Sequence, residues 1–262
     1  MTILDKIIVH KRREVAHRRK SIPPQLMRQS ELFNAPRKSF VKELNRPDKV
    51  GIIAEFKRRS PSQGWIKEKA NVFEIAKGYE AAGASALSVL TDSEFFGGSN
   101  VDLINAFLEV EIPILRKDFI VDKHQILEAR DIGASAILLI AAALNEKEIK
   151  EFAHVAAELE LEVLLEIHSL DELPDNLDNI SAIGVNNRDL RDFSVDINRS
   201  LKIVAKLPAE ITKISESGLA DTATILELKQ AGFSGFLIGE TFMKTADPAA
   251  ACAELIKQLK TL

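Results

Sequence analysis

Short apolar runs alternate with helical patterns along the chain from Val50 onward. The runs are rich in β-branched and other apolar residues, as strands buried on both faces are. Between the runs, apolar residues recur at the spacing of amphipathic helices. The pattern predicts eight strands, at 51–56, 86–90, 113–117, 136–140, 162–167, 182–186, 212–216 and 235–239.

This alternation of strands and helices predicts a parallel sheet with right-handed crossovers. Eight such units in residues 49–262 are typical of a closed (β/α)8 barrel, the TIM barrel. We therefore predict an α/β fold in which residues 1–262 form one domain. Residues 1–48 are expected to be an N-terminal helical extension, and residues 49–262 the barrel.

The first 20 residues are basic, with seven Lys or Arg and two acidic residues. Positions near helical spacing are Leu4, Ile7, Ile8, Lys11 and Val15. We expect an amphipathic helix with a solvated basic face, and attraction of an anionic small molecule is the alternative. A nucleic-acid partner is not expected, because no recognition motif accompanies the basic residues.

Composition narrows the classes of protein. The chain has 35 Lys and Arg, 39 Asp and Glu, and one cysteine, so an internal disulfide is excluded. No metal-ligand cluster, dinucleotide fingerprint or Walker loop is present, and we expect neither a metal nor a cofactor. The most apolar stretch, 134–144, is shorter than the roughly 20 residues of a membrane helix. We expect a cytoplasmic protein without a membrane partner.

Candidate chemistry lies at the predicted strand ends, because barrels of this class carry their functional groups there. Lysines and glutamates, with several other polar groups, converge on this barrel mouth. Charged groups inside a barrel are costly unless they are paired, so this many at one mouth indicate a functional site. The strand ends supply Glu55, Lys57, Arg116, Lys117, Glu166, Asn186, Arg188, Glu216, Ser217, Gly218, Gly239 and Glu240.

Lysine and glutamate in a partly dry pocket can act as general acid and general base. Arg58, Arg59 and Arg116 could lower the pKa of the lysines, because like charges disfavour ionisation; the alternative is that their side chains point away. Segment 60–64 (SPSQG) is predicted to be a mobile loop.

The ends of strands 7 and 8 are where barrels commonly hold phosphate. Phe96, Phe119, Leu138 and Leu190 could supply an apolar wall for a flat ring. The residues alone therefore predict an acid–base enzyme that acts on an anionic, phosphorylated small molecule.

The run IIAEFKRRSPSQG (52–64) resembles the signature I-A-E-x-K-x-x-S-P-S-x-G of the indole-3-glycerol phosphate synthase family. Further blocks along the chain are similar to that family: LTDSEFFGGS, PILRKDFIVD, ILLIAAAL, LLEIHSLDEL, IGVNNRDL, ISESGL and FLIGETFM. The resemblance implies a substrate, 1-(2-carboxyphenylamino)-1-deoxyribulose 5-phosphate. Ring closure with loss of carbon dioxide and water would give indole-3-glycerol phosphate.

The resemblance also implies catalytic roles. Lys117 would protonate the ketone oxygen, with Glu166 as its electrostatic partner or a base. Lys57 would be a second acid, for the dehydration, and Glu55 the matching base. Asn186 would position these groups, and Ser217 completes the implied catalytic set.

The same resemblance implies a binding set. Ser60 and Arg188 would hold the anthranilate carboxylate, since guanidinium can bind a carboxylate with two bonds. Ser217, Gly218 and Gly239 would hold phosphate, with help from Lys57. The ring pocket would be formed by Pro61, Phe96, Phe119, Leu138 and Leu190, and the implied binding set also includes Ile238 and Glu240.

Three alternatives stay open at this point. A phosphoribosylanthranilate isomerase would need a Cys/Asp pair, and this chain has no cysteine at an early strand end. A non-catalytic phosphate-binding barrel should lack Lys117 or Glu166, and both are present. Catalysis could also need a partner subunit of the same pathway. We expect a monomer, with contact to other tryptophan-pathway enzymes as the open alternative.

Overall fold

The computed structural model describes residues 2–189 and 193–261. Helix α1 begins after Thr2, whose hydroxyl accepts the Asp5 N–H while the Asp5 carboxylate accepts the Thr2 N–H. This capping box explains why the helix starts there. The helices before the first strand of the described residues are α1 (Ile3–Ser21), α2 (Pro24–Met27), α3 (Glu31–Asn34) and α4 (Phe40–Leu44).

Eight parallel strands of the described residues close a barrel. Each strand pairs with the next along the chain, and the last pairs with the first. The predicted TIM barrel is thereby confirmed. The strands are β1 (Ile52–Phe56), β2 (Ala86–Leu90), β3 (Ile114–Lys117), β4 (Ala136–Ile140), β5 (Glu162–Ile167), β6 (Ala182–Asn186), β7 (Thr212–Glu216) and β8 (Gly235–Ile238).

Helices surround the barrel, and several begin at polar capping residues such as Asn71, Asp122 and Asn145. In the described part of the chain, no helix is both long and apolar enough to cross a membrane. The surrounding helices are α5 (Val72–Ala81), α6 (Asn100–Glu109), α7 (Lys123–Asp131), α8 (Glu146–Glu158), α9 (Asn198–Val204), α10 (Thr222–Ala231), α11 (Glu240–Met243) and α12 (Pro248–Lys260).

The barrel interior is a separate apolar cluster, distinct from the larger core between strands and helices. Phe40 and Leu44 of α4 belong to this interior cluster. Ser39 and Asn45 bind Glu162 and Thr212, the first residues of two strands, so α4 closes the amino-terminal end. The opposite end, where the strands finish, stays available for the site.

The segment after β1 contains a small hairpin. Strands Arg59–Ser60 and Gly64–Trp65 pair antiparallel around a turn at 61–63. The Ser60 hydroxyl accepts the Gln63 N–H and stabilises the turn. Arg58 fixes the base of the hairpin through an ion pair with Asp102. The sequence predicted the turn chemistry of this segment but not its strand pairing.

Candidate active site

Strand alternation decides which side chains enter the barrel. In β1, Ile53 belongs to the interior cluster, so Glu55 and Lys57 follow on the same inward side. The Lys57 ammonium lies 2.8 Å from Glu55 Oε1. Ser88, from the neighbouring β2, donates to Glu55 Oε2 at 3.4 Å. The end of β1 therefore supplies one lysine–carboxylate pair.

A second cluster lies around Lys117, at the end of β3. Its ammonium is 3.2 Å from Glu166 Oε2 and 3.6 Å from Glu216 Oε2. Asn186 donates its side-chain amide to Glu166 Oε1 at 3.1 Å, which fixes that carboxylate from the other side. Strands β3, β5, β6 and β7 thus bring four predicted strand-end residues into one group, joined by hydrogen bonds and ion pairs.

Electrostatics keep this cluster charged. Burial alone would lower the pKa of Lys117, but the carboxylates of three neighbouring glutamates outweigh burial and raise it above its ordinary value. Burial likewise acts to raise the pKa of Glu166, yet Lys117 and His168 hold it below its usual range. An ammonium facing a carboxylate is therefore the resting state of the Lys117–Glu166 pair.

Glu216 behaves differently from its neighbours. Burial raises its pKa to about 8, the charge of Lys117 opposes the rise, and the nearby carboxylate of Glu166 adds to it. Glu216 Oε1 is buried and has no hydrogen-bond partner. A Cβ on Gly184 would lie 2.2 Å from this oxygen, so glycine on β6 makes the room for it. Glu216 is therefore mostly protonated at neutral pH.

Glu216 was not assigned a role from the sequence. The signal was available, because Glu216 lies two residues after Ile214 of the interior cluster and directly before Ser217. The same spacing places Glu55 two residues after Ile53. Counting inward positions along β7 would have given this strand-end candidate a role beside Lys117.

The arginines do not lower the pKa of Lys117, because their side chains are engaged elsewhere. Arg116 points outward from β3 and is fully buried against Asp118 and Glu128. Arg58 binds Asp102, and Arg59 stacks over the ring of Trp65. Strand alternation causes the difference, because Arg116 and Lys117 are consecutive and so face opposite sides of the sheet.

Around these charges lies a cavity of about 140 Å³. Its lining contains these predicted site residues: Glu55, Lys57, Ser60, Pro61, Phe96, Lys117, Phe119, Leu138, Glu166, Asn186, Arg188, Ser217 and Glu240. The Phe96 and Phe119 rings meet with centroids 5.8 Å apart. Predicted residue Leu190 lies outside the described residues.

Helix α1 also lines this cavity, through Ile3, Leu4 and Ile7. The sequence predicts the helix but not its contact with the site. The spacing of apolar residues shows that a helix has a buried face and does not show what that face covers. The extension therefore contacts both ends of the barrel: α4 closes the amino-terminal end, and α1 lines part of the cavity at the opposite end.

An adjoining cavity of about 260 Å³ lies beside the ends of β7 and β8. Lys57, Arg188 and Glu240 line both cavities, so the two adjoin at these residues. A Cβ on Gly239 would lie 2.4 Å from Glu55 Oε1, which explains glycine there. The predicted residues lining this cavity are Glu55, Lys57, Arg188, Ser217, Gly218, Ile238, Gly239 and Glu240.

Arg188 stands between the two cavities. Its guanidinium lies 3.4 Å from Glu240 Oε2 and donates to the Phe193 carbonyl. The Asn186 side-chain oxygen accepts the Arg188 N–H at 2.9 Å. Among the described residues, Arg188 is therefore held by one ion pair with Glu240 and by hydrogen bonds of its side chain and backbone. An incoming carboxylate could replace Glu240 at this place.

A closed (β/α)8 barrel with two lysine–carboxylate pairs at its mouth defines an acid–base enzyme of the TIM-barrel class. The family model "Indole-3-glycerol phosphate synthase" matches residues 4–255. The chain therefore belongs to the indole-3-glycerol phosphate synthase family, whose members are carboxy-lyases of tryptophan biosynthesis.

Individual relatives agree with the family match. A Bacteroides thetaiotaomicron protein named indole-3-glycerol phosphate synthase is 47% identical over 258 residues, covering 98% of this chain and 99% of the relative. A Chlorobium chlorochromatii protein of the same name is 46% identical over 245 residues, covering 92% and 95%. An Acidithiobacillus ferrooxidans protein of that name is 41% identical, covering 97% and 98%. These matches favour the synthase over the isomerase alternative.

Proposed function

We propose that the site closes the five-membered ring of 1-(2-carboxyphenylamino)-1-deoxyribulose 5-phosphate and releases carbon dioxide and water. The observation that carries the proposal is the pair of lysine–carboxylate contacts at one mouth. Lys117 lies 3.2 Å from Glu166, and Lys57 lies 2.8 Å from Glu55. The reaction needs an acid twice, and the mouth offers two ammonium groups.

In the first step, the ring carbon that bears the carboxylate attacks the ketone carbon. The ketone oxygen takes a proton from the Lys117 ammonium and becomes a hydroxyl. Glu166 and Asn186 hold that ammonium in place. The carboxyl group then leaves as carbon dioxide, and its bonding electrons restore the aromatic ring.

In the second step, the new hydroxyl leaves as water. Lys57 gives the proton that the departing oxygen requires, and Glu55 takes the proton that is lost beside it, which completes the pyrrole ring. Glu216, mostly protonated and 3.6 Å from Lys117, is placed to return a proton to Lys117. Proton transfers by positioned groups of this kind contribute about 100- to 10,000-fold each.

We assign the parts of the substrate to the two adjoining cavities. We assign the ring to the apolar wall of Pro61, Phe96, Phe119 and Leu138. Arg188 and Ser60 would bind the anthranilate carboxylate, with Arg188 exchanging Glu240 for the substrate. Backbone N–H groups at Ser217, Gly218 and Gly239 would hold the phosphate, and Ile238 and Glu240 border this corner. Leu190 stays a sequence-based assignment.

The test is indole fluorescence on mixing the protein with the carboxyphenylamino-deoxyribulose phosphate. Lys117→Ala should lose about 1,000-fold in kcat. Lys123→Ala is a matched control, because Lys123 is exposed and pairs with Glu151 on the barrel surface. Equal turnover by Lys117→Ala would refute the role of Lys117, and no turnover by the unaltered chain would refute the reaction.

We also propose that the chain works as a monomer in the cytoplasm. The apolar residues of α1 cover the barrel mouth, where an uncovered apolar surface would favour association. Sedimentation equilibrium tests this proposal. A mass above 29.0 kDa that persists on dilution would contradict it.

A further inference from the structure

A fully buried lysine of α1 lies behind the wall of the active site. Lys11 Nζ is 2.9 Å from Asp92 Oδ2 and 3.0 Å from Asp118 Oδ1. Glu14 of the same helix also lies 2.9 Å from the ammonium. Burying a charge is costly unless it is paired, so an ammonium placed here is stabilised by its ion pairs with the two buried aspartates.

Each aspartate has a second contact, on the backbone of a residue of the cavity wall. Asp92 Oδ1 accepts the N–H groups of Phe95 and Phe96, at 2.8 and 3.2 Å. Asp118 Oδ1 accepts the N–H of Phe119 at 2.8 Å. The two carboxylates therefore fix the two chain segments that carry the aromatic wall.

The two segments meet at the substrate cavity. The Phe96 and Phe119 rings contact each other with their planes inclined at 38°. They come from the loops after β2 and β3, and the Lys11 ammonium connects the aspartates of both loops. A single charge on the N-terminal extension thus bridges both halves of the wall.

The ammonium stays charged in this position. Burial alone would lower the pKa of Lys11, but the carboxylates of Asp118, Asp92 and Glu14 outweigh burial and raise it. Asp118 is held further by Thr91, whose hydroxyl donates to Oδ2 at 2.6 Å. The bridge is therefore an ion pair with fixed geometry on both sides.

We propose that Lys11 is a positioning residue for substrate recognition: through Asp92 and Asp118 it sets the spacing of Phe96 and Phe119 that accepts the aromatic ring. This inference rests on the proposed function, which places the anthranilate ring against that wall. It assigns the N-terminal extension a part in specificity, distinct from its contribution to stability.

A stabilising role alone would give a different result, and Val15→Ala provides the comparison. Val15 is buried on the same helix, and its apolar side chain cannot form an ion pair with either aspartate. Its truncation weakens the docking of α1 without removing the bridge. A purely structural Lys11 would therefore behave like Val15, whereas a positioning Lys11 would affect the ring end of the ligand selectively.

The experiment compares the unaltered chain, Lys11→Met and Val15→Ala. Competitive inhibition is measured with two probes, anthranilate for the ring end and glycerol 3-phosphate for the phosphate end. Lys11→Met should weaken anthranilate inhibition about tenfold, the scale of one lost aromatic contact. Its inhibition by glycerol 3-phosphate should change by less than about twofold, as for an independent site. Val15→Ala should lower the melting temperature and leave both inhibition constants unchanged.

Tryptophan fluorescence gives a second readout. Trp65 is the sole tryptophan of the chain, and a Cβ on Gly97 would lie 2.7 Å from its ring. Trp65 therefore reports on the loop that carries Phe96. Its emission should shift in Lys11→Met and not in Val15→Ala. Equal emission in Lys11→Met and the unaltered chain would contradict the proposal.

A second variant and a second binding measurement complete the test. If Lys11→Met fails to fold, Lys11→Gln replaces it, because an amide can still donate to a carboxylate. It should weaken anthranilate by about threefold, and an unchanged constant would overturn the proposal. Equal weakening of both probes would also overturn it. If the unaltered chain shows no turnover, the proposed function fails, and calorimetry with anthranilate then tests the wall by itself.

Discussion

Replacing Glu216 by glutamine should stabilise the protein, and more so at higher pH. Burial raises the pKa of Glu216 to about 8 from an ordinary 4.5, so the native state binds its proton more tightly than the unfolded state does. The contribution of this group to stability is complete below about pH 4.5 and is lost as the pH rises to about 8. Glutamine is neutral throughout and avoids that loss.

The magnitude follows from the size of this window. Each pH unit between 4.5 and about 8 costs about 1.4 kcal/mol, which gives about 5 kcal/mol as an upper limit. The opposing charge of Lys117 is already contained in the pKa of about 8. We expect Glu216→Gln to gain about 2–4 kcal/mol in unfolding free energy at pH 8.5, and close to zero at pH 4.5.

Urea denaturation at several pH values between 4.5 and 8.5 measures this difference. The matched control is Glu227→Gln, at an exposed glutamate on α10, for which the difference should not vary with pH. A pH-independent difference for Glu216→Gln would refute the reasoning, as would a variant less stable than the unaltered chain at pH 8.5. The gain should come with reduced kcat, because the proposed proton relay to Lys117 is lost.

Three further outcomes follow from contacts described above. Gly239→Ala should lower kcat about 100-fold with an unchanged circular dichroism spectrum, because the added methyl would lie 2.4 Å from Glu55 Oε1; normal turnover would argue against this. Arg116→Met should lower the unfolding free energy in urea by about 3–5 kcal/mol, since the buried Asp118 and Glu128 each lose one of their cationic partners, and a loss under about 1 kcal/mol would contradict that. Burial lowers the pKa of His168, but contacts with Glu172 and a second carboxylate raise it overall. His168→Gln should therefore cost more stability at pH 5.5 than at pH 9 in thermal melts, and the reverse order would contradict this sign.

The strands were predictable because their apolar runs are short, continuous and bounded by turn residues. Each predicted strand lies within one residue of the observed one, as at 51–56 against Ile52–Phe56. The inward-facing Glu55 and Lys57 were also accessible, since alternation along a strand fixes their side. The same rule applied to Arg116 would have placed it outside the barrel, where the structure has it.

Contacts between distant parts of the chain could not be predicted in this way. Lys11 lies among apolar positions of a basic helix, and nothing in that segment indicates that its partners are Asp92 and Asp118. The raised pKa of Glu216 depends on the space left by Gly184 on a neighbouring strand. Such properties arise from packing across the barrel, and local patterns do not contain them.

The ion pairs of α1 with the barrel have a consequence for chain order. They reach Asp92, Asp118, Asp122, Glu128 and Glu148, all of which precede β5 in sequence. Helix α1 can thus form these ion pairs while the second half of the chain is still being synthesised. Both ammonium groups, Lys57 and Lys117, belong to that early half, whereas Glu166 and Glu216 come later. Lys117, the proposed acid of the first step, therefore meets Glu166 only once β5 is in place, and Glu216 only once β7 has followed.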